Sequence, residues 1–149
     1  MKIEIVQATL QDIEKLSVLF DNYRVFYKQT SDIKLAKAFL IDRISNQESV
    51  IFVAKGKSTQ LGFTQLYPSF SSVSANRTWI LNDLYVLPEY QNLRIGSKLL
   101  NHAQQHAKQT LAKGIFLQTA KTNAGAQKLY KSKGYCKQDY ISYFLALHH

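Results

Sequence analysis

The chain has 149 residues, with 19 Lys and Arg against 10 Asp and Glu for a formal net charge of +9, and is 46% hydrophobic and 19% charged. That balance describes one globular domain, residues 1–149, able to close a core, and excludes the disordered and fibrous classes. No apolar run reaches the ~20 residues of a membrane-crossing helix, and the single cysteine, Cys136, excludes an intramolecular disulfide.

Residues 2–8 set Ile3, Ile5 and Ala8 among polar side chains and predict a first strand instead of the apolar core of a secretory signal, so the expected location is cytoplasmic. Thr9 opens a capping box in which Asp12 takes the place usually held by Glu. Leu10, Ile13, Leu16, Leu19 and Phe20 then recur at helical spacing. That helix runs into the aromatic stretch Tyr23, Arg24, Val25, Phe26, Tyr27, in which Phe26 reads as core. A second helix is expected from Ser31 and Asp32 onward, carrying Leu35, Ala36, Phe39 and Leu40 inward.

Residues 50–55 and 61–67 are apolar runs on either side of a glycine-containing turn and predict an antiparallel hairpin closed by Pro68. Residues 69–76 read as a serine-rich loop, and residues 79–86 as a buried central strand stopped by Pro88. Ile95, Leu99, Leu100, Ala103, Ala107 and Leu111 predict an amphipathic helix, and Gly114 precedes another short strand at residues 115–119.

Between the central strand and its helix lies the turn Gln91, Asn92, Leu93, Arg94, Ile95, Gly96, Ser97. The first N–H groups of a helix have no partner within it and carry the positive end of its dipole, so an anion is stabilised there. Gly96 lets backbone approach a phosphate, Ser97 adds a hydroxyl, and Arg94 and Lys98 add charge; by themselves these residues read either as a diphosphate cradle or as a turn glycine with two solvated bases. Further on, Asn123 and Tyr130 are two helical turns apart, so they share one face of a short helix that Gly134 ends.

Residues 91–96 resemble the pyrophosphate loop of the GNAT superfamily of N-acetyltransferases, whose pattern is Gln/Arg-x-x-Gly-x-Gly/Ala. Arg94 stands where that family usually has its first glycine, and is expected either to keep a negative φ and join the phosphates or to distort the loop. Residues 123–135 resemble the family's Asn-x-x-Ala-x-x-Leu-Tyr-x-x-x-Gly-Phe motif, with Tyr135 as the aromatic. The resemblance implies a mixed α/β fold with a twisted sheet of six to seven strands and about four helices. It also implies transfer of acetyl from acetyl-CoA to a primary amine of a small molecule or protein.

On that resemblance Leu84, Tyr85 and Val86 hold the pantetheine arm, residues 91–97 hold the diphosphate, and Asn123 binds the cofactor arm. Tyr130 is the expected proton donor to the departing thiolate, and Asp83 the expected acceptor of the amine proton. Tyr23, Arg24, Tyr27, Asn82 and Asp83 become candidates for acceptor contact. Residues 81–86 look like the diamine acetyltransferase branch, which commonly has Glu where Asn82 stands.

Residues 140–147 are apolar enough to pair two copies, so a homodimer is expected. His102 and His106 stand four apart with no third ligand candidate, so they read as a solvated helix face and no metal is expected. His148 and His149 read as a tag remnant or a frayed end, and Cys136 as a small packed residue. The alternative reading is a member without turnover that binds CoA or nucleic acid through its basic surface. The intact Asn123 and Tyr130 argue against it, and nucleic acid is not the expected partner.

Overall fold

The structure is a computed structural model and describes residues 2–149, which fall into two compact units divided after Gln118. The first unit holds β1 (Glu4–Gln7), α1 (Ile13–Phe26), α2 (Ile33–Ser45), β2 (Val50–Lys55), β3 (Gln60–Ser71), β4 (Asn76–Val86), α3 (Ile95–Gln109) and β5 (Ile115–Phe116). The second, Thr119–His149, holds α4 (Ala124–Ser132). The five strands lie in chain order in one sheet, antiparallel from β1 to β4, with β5 parallel to β4. The mixed α/β class is as expected; among the described residues the strands number five, because residues 133–149 contribute none.

Local chemistry sets the helix ends. Thr9 accepts from Gln11 N while Asp12 accepts from Thr9 N at 2.9 Å, the expected capping box, which here opens a single 3-10 turn leading into α1. Asp32 caps α2 by accepting from Leu35 N at 3.0 Å. Alternation along β2 then assigns its faces. Ile51 and Val53 join Ile13, Leu16, Leu19 and Phe20 of α1, Ala36 and Leu40 of α2 and Phe63 of β3 in one core. Phe52, pointing the other way, meets His102 and His106 of α3 at 5.9 and 5.8 Å between ring centroids. The sheet is thus buried on both faces between helical layers.

Several expectations are corrected. Pro68 does not close a strand: β3 runs through it to Ser71 and turns at residues 72–75 into β4, so the serine loop is mostly hairpin. The missing N–H is tolerated because β2 pairs β3 only as far as Leu66, leaving one edge of β3 open at Pro68. His106 is no solvated residue: its ring packs 5.0 Å from that of Trp79, whose Nε1 donates to Thr110 Oγ1 at 2.9 Å. Phe26 is 65% exposed, whereas Tyr23 packs on the core. Cys136 is exposed.

Candidate functional site

Two backbone irregularities make the site. The first is in the pairing of β4. Leu66 opposes Leu81 and Gln65 opposes Asp83, so Asn82 has no partner on β3 and forms a bulge. The second is the shortness of β5, which pairs only Trp79 and Ile80. Among the described residues, the far edge of β4 therefore has no strand beside it from Leu81 to Val86, and Leu84, Tyr85 and Val86 present backbone to an added extended chain.

That edge leads through Leu87 into the turn before α3. Arg94 adopts φ 60° and ψ 24°, and Asn92 φ 67°, both left-handed. Of the two expected alternatives, the negative φ at Arg94 is not found: the arginine takes a conformation that glycine adopts freely, at a cost in strain. The first helical bond runs from Lys98 N to Arg94 O at 3.1 Å, so the N–H groups of Ile95, Gly96 and Ser97 precede the ladder. Ile95 is buried and fixes the helix to the sheet, while Gln91, Asn92, Leu93 and Arg94 are exposed around its end. N–H groups that precede the helical ladder, a positive dipole end and the Arg94 and Lys98 charges suit a diphosphate.

Behind the edge lies a buried carboxylate. Asp83 is 5% exposed, and its Oδ2 accepts from Gln65 Nε2 at 2.7 Å and its Oδ1 from Asn82 Nδ2 at 3.1 Å. The phenol of Tyr23 is directed at the same carboxylate. Burial raises the proton affinity of Asp83, and the hydrogen bonds of Tyr23, Gln65 and Asn82 pull the other way without cancelling it. Burial and the charge of Asp83 push the phenol of Tyr67 up to about 12 and that of Tyr23 well above its usual range. The Tyr23 ring is held against Phe63, Tyr85 and Tyr27, with centroids at 5.4, 5.6 and 5.1 Å. Arg24 is half-buried, with a buried Nη1 that has no hydrogen-bond partner.

In the second unit, Asn123 Oδ1 caps α4 by accepting from Ala126 N at 3.1 Å, which leaves its amide nitrogen as the donor. The rings of Tyr130 and Tyr135 meet edge to face at 5.8 Å, and Gln127 Nε2 donates to Lys121 O at 2.9 Å. Burial, with Tyr130 beside it, pushes the Tyr135 phenol up to about 12. Among the described residues no cluster of His, Cys, Asp and Glu could hold a metal ion.

Sequence reasoning missed Gln65, whose polar side chain in a buried strand was the available signal, and Gly62, discussed below. It also missed a cleft of about 340 Å³ along α1, lined by Glu14, Lys15, Val18, Leu19, Asn22, Ser58, Thr59, Gln60 and Leu87.

The sequence profile described as "Acetyltransferase (GNAT) family" matches residues 14–135, most of the chain and the elements from α1 to α4. The chain belongs to this family. As a GNAT member it is an N-acetyltransferase that uses acetyl-CoA as its co-substrate, and the open β4 edge and the α3 N-terminus fit that molecule's arm and diphosphate. It is 46% identical over 129 residues, 87% of each chain, to a Bacillus subtilis (strain 168) protein described as "Uncharacterized N-acetyltransferase YhfO". A solved structure described as a probable acetyltransferase is 41% identical and superposes with a TM-score of 0.92 over 98% of this chain and 99% of that one. An aminoglycoside N-acetyltransferase, AAC(6')-Iy, solved in complex with CoA, is 15% identical. It covers 97% of this chain and 95% of its own with a TM-score of 0.80, a likeness of fold.

Proposed function

We propose that this GNAT protein acetylates a primary amine of a small molecule, or of a protein terminus or lysine, with residues 1–149 acting as one domain and the chain working as a homodimer in the cytoplasm. The observation that carries the site assignment is the unpaired β4 edge from Leu81 to Val86 ending at the N-terminus of α3. When bound, acetyl-CoA supplies the activated acyl carbon. The protein's residues position it, stabilise charge and move protons.

Backbone groups of Leu84, Tyr85 and Val86 hold the pantetheine arm as an added strand. The N–H groups of Ile95, Gly96 and Ser97, with Gln91, Asn92, Leu93 and Arg94 around them, hold the diphosphate. Asn123 binds the cofactor arm through its amide nitrogen. Tyr130 gives its proton to the departing thiolate, a task for a phenol because its proton is still present at neutral pH. Asp83 takes the proton of the amine, and Tyr23, Arg24, Tyr27 and Asn82 contact the acceptor. Tyr27 is 57% exposed beside the half-buried Tyr23, which supports an aromatic wall on the acceptor side.

The homodimer is supported by the second unit. Every residue from Cys136 to His149 is exposed, including Phe144 at 92% and Tyr143 at 91%, and such an apolar stretch marks an interaction surface. Sedimentation of the purified protein tests it: a dimer is expected, and a monomer at micromolar concentration overturns it.

The activity is tested by following thiol release from acetyl-CoA with a panel of alkylamines, aminoglycosides and lysine peptides. Amine-stimulated release is expected, with Tyr130→Phe strongly impaired. Failure of every amine to stimulate release, alongside intact CoA binding, overturns the assignment.

A further inference from the structure

Asp83 cannot meet an acceptor amine directly. Gln65, itself 0% exposed, covers one carboxylate oxygen and the Asn82 amide the other, and the carboxylate enters none of the ion pairs among the described residues. All three groups around it are donors, the surroundings of a carboxylate and not of a carboxylic acid. Its titratable neighbours are the phenols of Tyr23 on α1 and Tyr67 on β3, with Arg43 of α2 acting on Tyr67. Of the groups directed at the carboxylate, Gln65 and Asn82 end in amides, whose N–H protons are too weakly acidic to be passed on at neutral pH. The phenol of Tyr23 is directed at Asp83, and its half-buried ring belongs to the aromatic surface that continues to Tyr27.

We propose that Tyr23 conducts the proton of the acceptor amine to Asp83, while Gln65 is the positioning residue that holds the carboxylate for it. The proposal rests on the acetyl-transfer reading above. In the step, one N–H bond of the positively charged nitrogen breaks and its proton joins Tyr23 Oη as the phenolic O–H bond breaks toward Asp83. The electron pair stays on nitrogen, the phenol ends neutral, and the carboxylate becomes a carboxylic acid. The phenol never ionises, which is consistent with its reluctance to do so, and the raised proton affinity of the buried carboxylate supplies the sink.

The test compares wild type, Tyr23→Phe and Gln65→Glu on ethylamine and its mono-, di- and trifluorinated derivatives, whose nitrogens lose a proton progressively more easily to water. Tyr23→Phe keeps the ring and its packing. It is expected to lower kcat on ethylamine by about 100-fold, with the loss shrinking to a few-fold on trifluoroethylamine and the KM for acetyl-CoA unchanged. A loss of equal size across the series, or no loss, overturns the conduit. Gln65→Glu sets a second carboxyl against Asp83, so the acid limb of kcat/KM is expected to move to higher pH; a limb that stays put overturns the role of Gln65. Wild type inactive on every amine overturns the acetyl-transfer reading and this one with it. Normal wild-type turnover with a uniform Tyr23→Phe loss overturns this one alone.

Discussion

A β carbon added to Gly62 would lie 2.6 Å from the carbonyl oxygen of Tyr85, across the β3–β4 pair and directly behind the open strand edge. Backbone, not a flexible side chain, occupies that space, so β4 must move to admit any larger residue. Gly62→Ala is expected to cost about 1–3 kcal/mol and to weaken acetyl-CoA binding, both readable by urea unfolding and calorimetric titration. Gly114→Ala, where nothing lies within 4 Å, is the control and is expected to leave both unchanged.

Arg94 holds a conformation that glycine adopts freely, at a cost of roughly 1–2 kcal/mol for any other residue. Arg94→Gly therefore raises stability while removing a charge beside the α3 N-terminus; Arg94→Ala removes the charge and keeps the strain. If the guanidinium pairs with phosphate, both variants bind acetyl-CoA more weakly and only the glycine variant melts higher. Equal melting temperatures would refute the strain, and unchanged affinity the pairing.

Removal of the Tyr130 hydroxyl in Tyr130→Phe is expected to cut kcat by about 10²–10⁴-fold while leaving the dissociation constant for acetyl-CoA near wild type. The tyrosine ring packs on Tyr135, so the phenylalanine keeps the helix face intact. A dissociation constant that rises as much as kcat falls would mark Tyr130 as a binding residue instead.

Asp83 binds a proton more tightly in the fold than in the unfolded chain, because burial raises it. Its contribution to stability is therefore greatest below the unfolded carboxylate range, about 3.9, and declines as pH rises through the folded value. Asp83→Asn removes that decline, so its stability relative to wild type should rise between acid and neutral pH. Asp12 has the opposite sign: burial opposes, but Lys55 and Thr9 lower it, and its contribution is lost as pH falls through the folded value. Parallel urea titrations of Asp83→Asn and Asp12→Asn across pH distinguish the two.

What the sequence disclosed follows from how local the cause was. The capping box at Thr9 and Asp12, the cap at Asn123 and the stripe Ile95, Leu99, Ala103 are set by neighbours three or four residues away, and all are found. The Asn82 bulge, the brevity of β5 and the run of β3 through Pro68 are facts about pairing between distant segments, and no periodicity encodes them. Phe26 reads as core from the sequence and Tyr23 as an acceptor contact; the fold packs Tyr23 on the core and leaves Phe26 exposed. Three residues of helix rotation decide that Tyr23 faces Phe63 and Asp83 while Phe26 lies outside. His106 was misplaced for the same reason, since only the tertiary approach of Phe52 and Trp79 draws it inward.

The bare flank of β4 also has a price beyond catalysis. Main-chain groups along the unpaired side of Leu81 to Val86 will template a foreign strand as readily as they accept a thioester arm, so starvation for co-substrate leaves this protein sticky. Light scattering at rising temperature should find the ligand-free enzyme clumping well before the CoA-saturated one, which would make metabolic supply a guardian of its solubility.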